Sequence, residues 1–406
     1  MIPGSNLVRA ADRTRGVKYA IRDIIVIAEE VRCQGKELLY LNIGDPIKFD
    51  FKTPKHILDA IYEGMLAGDN GYGPSEGIES AMTAIEADAK RKKIPNINQI
   101  CVTTGASEGI ELALTALVNS GENVLLPTPG YPLYTAVMSK IQAEINPYYL
   151  DEENGWQPDV ADIEAKVNEK TRAIVVINPN NPTGSIADRS TLTQIVEIAR
   201  KHNLLIMADE IYDKIILDNG THVSLAEVAD DHPCITFNGL SKSYLSPGLR
   251  SGWSIISGDP ECCSDFTDAF MKMARARLCS NTPSQWGISA ALDGDQSHLE
   301  TIKKKITARR DLVVQRLNAL DGFNCVVPRG AFYVFPTISY EGSDWDFVKD
   351  VLRATGVVTV PGAGFGQKPD TKHIRIVLLP PEDVLAKAMD SIEEFIGSGG
   401  AGMCRE

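Results

Sequence analysis

Residues 173–214 read AIVVINPNNPTGSIADRSTLTQIVEIARKHNLLIMADEIYDK. An apolar run, Ala173–Ile177, meets a rigid polar loop, Asn178-Pro179-Asn180-Asn181-Pro182-Thr183-Gly184. A helical pattern follows, then a second apolar run, Leu204–Ala208, ending on Asp209. Apolar strand, loop, helix, apolar strand is the signature of a βαβ unit, whose strands lie parallel and are covered on both faces. Short β-rich runs recur on either side, at Gln99–Thr103, Asn123–Leu126, Ala143–Tyr149, Cys234–Phe237 and Gly252–Ser257. The pattern predicts an α/β fold, a mostly parallel sheet sandwiched by helices. Beyond it come helices over about 259–278 and 283–320. Then follow strands near 322–327, 331–336, 357–360 and 373–378 and helices near 344–354 and 381–395, which reads as a smaller α+β domain. Before it lie a helix over about 19–35, a strand over Leu38–Ile43 and helices near 54–67 and 76–93. The expected division is 1–45 as an N-terminal segment packing with the small domain and the site, 46–285 as the large domain and 286–406 as the small one.

Composition narrows the function. The 406 residues are 43% hydrophobic, enough to bury a large core, and carry a net charge of −13. Nucleic-acid binding needs a basic surface, and the densest basic run is Lys90-Arg91-Lys92-Lys93 at a helix end, where it suits the macrodipole. No Cys-x-x-Cys pair or histidine ligand spacing points to a metal. The eight cysteines read as buried thiols of a cytoplasmic protein. No apolar stretch reaches the 18 or so residues of a membrane span, and no signal-peptide core is visible.

Polar residues gather where strands end, the edge at which open α/β sheets bind ligands. In Asn238-Gly239-Leu240-Ser241-Lys242, a lysine follows a strand with a hydroxyl beside it and Arg250 eight residues on. Such a lysine forms a Schiff base near a bound phosphate, or is a solvated loop residue. Asn181 is presented rigidly by its two prolines, as a ligand contact or as a plain turn. Asp209 awaits a cationic partner or caps a helix. Thr104-Gly105-Ala106-Ser107 opens a helix whose N-terminus can hold phosphate. Arg375, in a short β-rich run, suits a carboxylate, from a substrate or from the protein. Gly362-Ala363-Gly364-Phe365-Gly366 lacks nucleotide-loop spacing and reads as a flexible turn.

Taken in order, Gly105-Ala106-Ser107, Tyr131, Asn181, Asp209/Tyr212, Ser241-Lys242, Arg250 and Arg375 resemble the fold-type I, pyridoxal-phosphate-dependent aminotransferases of class I/II. Leu41-Asn42-Ile43-Gly44, Pro132-Leu133, the 208–214 and 236–242 stretches and Arg277–Asn281 resemble the alanine aminotransferases within that group. The resemblance implies the aspartate aminotransferase-like fold and a role for each position. Lys242 would hold pyridoxal 5'-phosphate and move the proton. Asp209 would pair with the pyridine nitrogen, Tyr212 and Asn181 with the ring oxygen, and Tyr131 would stack on the ring. Gly105, Ala106, Ser107, Ser241 and Arg250 would hold the phosphate, and Tyr72 would reach the site of a partner subunit in a homodimer. Gly44 and Arg375 would bind the substrate α-carboxylate, and Tyr19 and Arg22 would close over it. Pro247 departs from the small residue that relatives often carry.

The implied reaction moves an amino group from L-alanine to 2-oxoglutarate, giving pyruvate and L-glutamate. An aspartate or broad-range aminotransferase and a carbon–sulfur β-lyase share the cofactor residues. Arg22, Arg275 and Arg277 are candidates for a distal carboxylate. A non-enzymatic binding module, as in domains fused to DNA-binding regulators, is disfavoured by the acidic charge and the short stretch before the first helix.

Overall fold

The computed structural model describes residues 8–17 and 20–398. Its centre is an eight-stranded sheet: β1 (Ile97–Thr103), β2 (Asn123–Thr128), β3 (Glu144–Asp151), β4 (Gln157–Pro158), β5 (Thr171–Ile177), β6 (Leu205–Asp209), β7 (Cys234–Gly239) and β8 (Gly252–Ser257). Their order is β1-β8-β7-β6-β5-β2-β3-β4. The inner strands β3, β2, β5, β6 and β7 run parallel, in registers such as Ile174 opposite Ile206. Strand β8 runs against both its neighbours, and the short β4 runs against β3.

The apolar runs are unbroken because both sheet faces are covered. Ala173, Val175 and Ile177 point to one side, where Ile110, Leu114 and Phe270 of two helices pack. Ile174 and Val176 point to the other, against Leu192, Ile195 and Ile288. Truncating one such side chain, as in Ile174→Ala, costs about 2–5 kcal/mol. A separate apolar cluster joins Ile24, Ala28, Leu39 and Leu41 to Val313, Phe347, Val351, Ile376 and Leu385. Residues near the start of the chain thus share a core with its last third.

Three expectations need correction. The single helix over 283–320 is two, Thr282–Asp293 and Ser297–Asn318. At Gly294 the backbone turns extended so tightly that a Cβ would lie 2.3 Å from the Ala290 carbonyl and 2.8 Å from the His56 ring. Asp295 then accepts the Ser297 N–H, and the next helix starts. The strand over Leu38–Ile43 is reduced to Leu39–Tyr40, paired parallel with Val357–Val358.

The basic run after residue 89 is not simply a helix end facing water. Lys90 pairs with Glu86, but Lys92 turns inward to Asp88 at 2.7 Å and Asp213 at 2.5 Å. Among the described cysteines, Cys101, Cys234, Cys263 and Cys325 are buried, whereas Cys33 and Cys262 are exposed. No described helix is long and apolar enough to cross a membrane.

Candidate active site

The parallel strands end along one rim, and the loops that follow them converge there. β1 delivers Gly105 and the helix Ala106–Leu117, β5 delivers Asn181, β6 ends on Asp209, and β7 leads to Ser241 and Lys242. Because β8 runs the other way, its beginning lies at the same rim, and Arg250 just precedes it. The rim encloses a cavity of about 250 Å³. Gly44, Ala106, Ser107, Tyr131, Asn181, Asp209, Tyr212, Ser241, Lys242, Arg250 and Arg375 all line it.

Gly105 shapes its wall. Its φ is +76°, and a Cβ there would stand 2.3 Å from the Arg250 guanidinium. Tyr72 lies elsewhere, 86% exposed on the surface. Tyr19, and the side chain of Arg22, lie outside the described residues.

Burial governs the two central ionisable groups. Lys242 Nζ donates to the Gly44 carbonyl at 2.9 Å. Loss of solvent, reinforced by the Arg375 charge, brings its pKa down to about 8. Asp209 is 3% exposed, and loss of solvent pushes its carboxyl up to about 6. The Tyr134 hydroxyl, at 3.2 Å, and the Ile211 N–H, at 3.4 Å, only partly oppose that rise. Each group is held where its charged form is least comfortable alone.

Arg375 is 2% exposed. It donates to the Asn42 carbonyl at 2.9 Å and to Asn181 Oδ1 at 3.2 Å. Its guanidinium carbon lies 4.7 Å from the ring centres of both Tyr333 and Phe365. The glycine-rich stretch read as a flexible turn is therefore a built wall. Gly362–Phe365 forms a 3₁₀ turn, and Gly130 N–H donates to the Phe365 carbonyl at 2.9 Å. Tyr212 shares a hydrogen bond with Tyr333 at 2.8 Å. Arg277, a candidate for a distal carboxylate, turns instead to Glu108 at 3.2 Å and the Val102 carbonyl at 2.8 Å.

Sequence reading missed Tyr134, Tyr333 and Phe365. Tyr134 had a local signal: it follows Tyr131 by three residues at a helix start, so the two side chains share a face. Tyr333 and Phe365 had none, since only the tertiary fold brings them over Arg375.

The arrangement tests well against pyridoxal phosphate. The first turn of Ala106–Leu117, with Ser241 and Arg250, offers an anion site. That turn is packed so closely that a Cβ on Gly252 would lie 2.4 Å from the Ala106 nitrogen. A buried carboxylate and a desolvated lysine complete what the group's ring nitrogen and aldehyde require.

The chain is similar over nearly its whole length to several aminotransferases. It is 41% identical to the alanine aminotransferase of Mycobacterium tuberculosis over 398 residues, covering 95% of this chain and 92% of the relative. It is 38% identical to the glutamate-pyruvate aminotransferase AlaA of Escherichia coli, covering 96% and 98%. The solved alanine aminotransferase of Pyrococcus furiosus superposes with a TM-score of 0.93 at 39% identity, covering 96% of this chain and all of that one. The family model described as aminotransferase class I and II matches residues 36–392, which include every cavity-lining residue named above. By sequence and by fold, the chain belongs to the class I and II aminotransferases.

Proposed function

We propose that the cavity holds pyridoxal 5'-phosphate and transfers an amino group from L-alanine to 2-oxoglutarate, giving pyruvate and L-glutamate. The observation that carries this reading is the placing of Lys242, near pKa 8, and Asp209, near 6, in one buried cavity with Arg375. The donor is taken from relatives named for alanine or for glutamate and pyruvate.

The bound cofactor supplies an electron-withdrawing ring that acidifies the substrate Cα–H bond. Lys242 would hold the group through Nζ and would serve as the general base for the substrate Cα proton. A lysine near pKa 8 is about one-tenth neutral at pH 7 and about half neutral at pH 8, far more than an ordinary lysine, which supplies the base form. Asp209 holds the proton of the pyridine nitrogen, and the new positive neighbour returns its own carboxyl toward the ionised form. Tyr131 stacks on the ring, and Tyr212 and Asn181 reach its oxygen. Gly105, Ala106, Ser107, Ser241 and Arg250 take the phosphate. Arg375 binds the α-carboxylate in a fork, beside Gly44. Tyr19 and Arg22 close over the substrate.

Among the described lining residues the cations are Lys242, Arg250 and Arg375. Each has a role already, so a small neutral donor needs nothing more, whereas the distal carboxylate of 2-oxoglutarate calls for a cation from beyond these residues, for which Arg22 and Arg275 are the remaining candidates. Two such chains pair as a homodimer. Tyr72, with Leu58, Tyr62 and Leu66, forms part of an exposed apolar set suited to a partner surface. The chain divides at about residue 45 and, because the helix Thr282–Asp293 packs Ile288 on the main sheet, near Gly294 and not at the expected 285; the described thiols, four of them buried, suit the cytoplasm.

The test is the visible absorption of the cofactor-loaded protein during separate additions of L-alanine, L-aspartate and L-cysteine, with released oxo acid assayed. The expected result is bleaching by L-alanine with about one pyruvate per bound cofactor. A stronger response to L-aspartate overturns the donor. Continuing pyruvate release from L-cysteine without any oxo-acid acceptor overturns amino transfer in favour of β-elimination.

A further inference from the structure

Beside the strand of Arg375 runs a chain of hydrogen bonds that the reaction does not use. It begins at Asp344, 3% exposed, at the start of the helix Asp344–Thr355. Asp344 Oδ2 accepts from the Ala363 N–H at 2.6 Å and from Gln367 Nε2 at 3.0 Å, while Oδ1 accepts from the Trp345 N–H. With its amide nitrogen committed to that carboxylate, Gln367 turns its oxygen to His373 Nδ1, at 3.1 Å. An amide oxygen only accepts, so Nδ1 carries a hydrogen. The other ring nitrogen, Nε2, lies 3.1 Å from both Glu152 Oε2 and Thr337 Oγ1. The threonine hydroxyl donates to Glu152 Oε1 at 2.5 Å. A neutral imidazole with its hydrogen on Nδ1 would then set a bare Nε2 against a carboxylate oxygen. Turning the hydroxyl toward Nε2 only moves the deficit to the contact between Thr337 and Glu152. The chain is one proton short with a neutral imidazole and an ionised Glu152, and of the two groups that can take that proton the imidazole is the stronger base.

The surroundings suit a cation. His373 is 1% exposed. Phe335 stacks on it at 4.7 Å with planes 3° apart, and Trp156 meets it edge-on at 5.4 Å. Its position links two parts of the molecule. Glu152 follows the last residue of β3 in the main sheet, whereas His373 directly precedes the strand Ile374–Val377. The His373 carbonyl also accepts from the Gly362 N–H at 2.7 Å, which fixes the turn bearing Phe365.

We propose that His373 carries a proton on both ring nitrogens and forms an ion pair with the partly buried Glu152 that positions Arg375 for the substrate carboxylate. The proposal rests on the carboxylate role given to Arg375 above. His373 and Glu152 are positioning residues, so their loss acts on substrate binding and leaves the proton-moving machinery in place.

Two measurements test it on the cofactor-loaded enzyme. Nitrogen NMR of protein labelled only at histidine is expected to show both His373 ring nitrogens protonated, with His373→Asn assigning the signals. A neutral His373 overturns the ion pair, whatever the variants do. In Glu152→Gln, KM for L-alanine and for 2-oxoglutarate is expected to rise about tenfold, the worth of a charge-assisted bond. The same variant should keep kcat within about twofold and the visible band of the bound cofactor unchanged, and Glu152→Asp should recover most of the loss. Unchanged KM in a folded Glu152→Gln overturns the positioning role. Arg375→Lys separates the two ideas. If it raises KM and Glu152→Gln does not, the positioning role of the ion pair fails and the carboxylate site stands. If Arg375→Lys also leaves KM unchanged, the carboxylate site itself is wrong.

Discussion

Within six residues, the segment Asp209–Lys214 takes part in two clusters of buried charge in which burial has opposite outcomes. Asp213 lies 2.5 Å from Lys92, which also reaches Asp88, and Asp88 in turn holds Lys214 at 3.1 Å. There burial opposes charge but loses. Lys92 and Lys214 bring Asp88 down to about 2, and the two carboxylates raise Lys92 above its ordinary value. In the cavity burial wins: Asp209 rises to about 6 and Lys242 falls to about 8. The lysine–aspartate cluster pairs its opposite charges within the protein and holds the segment in place. The cavity pair is left with unmet electrostatic demand, which is what a bound cation or carbonyl would satisfy.

The same substitution at the two lysines should separate these regimes most widely. Lys242→Ala is expected to lose about 10⁴-fold or more in turnover while still binding cofactor non-covalently. Substantial residual transamination in steady-state assays would make the two lysines equivalent and end the comparison. Lys92→Met should instead strand buried carboxylates and cost about 3–5 kcal/mol in denaturant unfolding. Lys242→Met, measured the same way on cofactor-free protein, should cost nothing or add stability.

Asp209→Asn sharpens the carboxylate side. Asp209 binds its proton more tightly folded than unfolded, so its burial destabilises the cofactor-free protein increasingly as pH rises from about 4 to about 6. Asp88 behaves the other way, contributing stability above about 4 that is lost as pH falls toward 2. The cofactor-free Asp209→Asn protein should therefore gain about 1–3 kcal/mol at neutral pH while losing cofactor affinity and rate. A variant that unfolds more easily and still binds cofactor normally would contradict both halves. The smallest effect belongs to Gly105→Ala. Displacement of Arg250 and a strained positive φ should weaken cofactor binding by about tenfold in equilibrium titration, with folding little changed.

The cavity was legible in sequence wherever a residue follows a strand end. Asn181, Asp209 and Lys242 are marked by the apolar runs before them, and the run's direction puts them at one rim. Lys92 was misread because helix spacing says where a side chain starts, not which distant acid it meets. Asp213 is over a hundred residues away in sequence. The break at Gly294 was available as a glycine, but its necessity comes from the His56 ring pressed against it. Tyr333, Phe365 and the Glu152–His373 contact arise between segments with no shared local pattern, so only the assembled chain reveals them.

The crowding of function on one rim leaves the opposite rim free. There the strands begin, after turns at Gly121, Asn203 and Asp230, each with positive φ. These turns carry none of the cavity-lining residues. They are the places to graft an affinity tag, a fluorophore or a surface tether on this enzyme, with the full length of the strands between the graft and the chemistry.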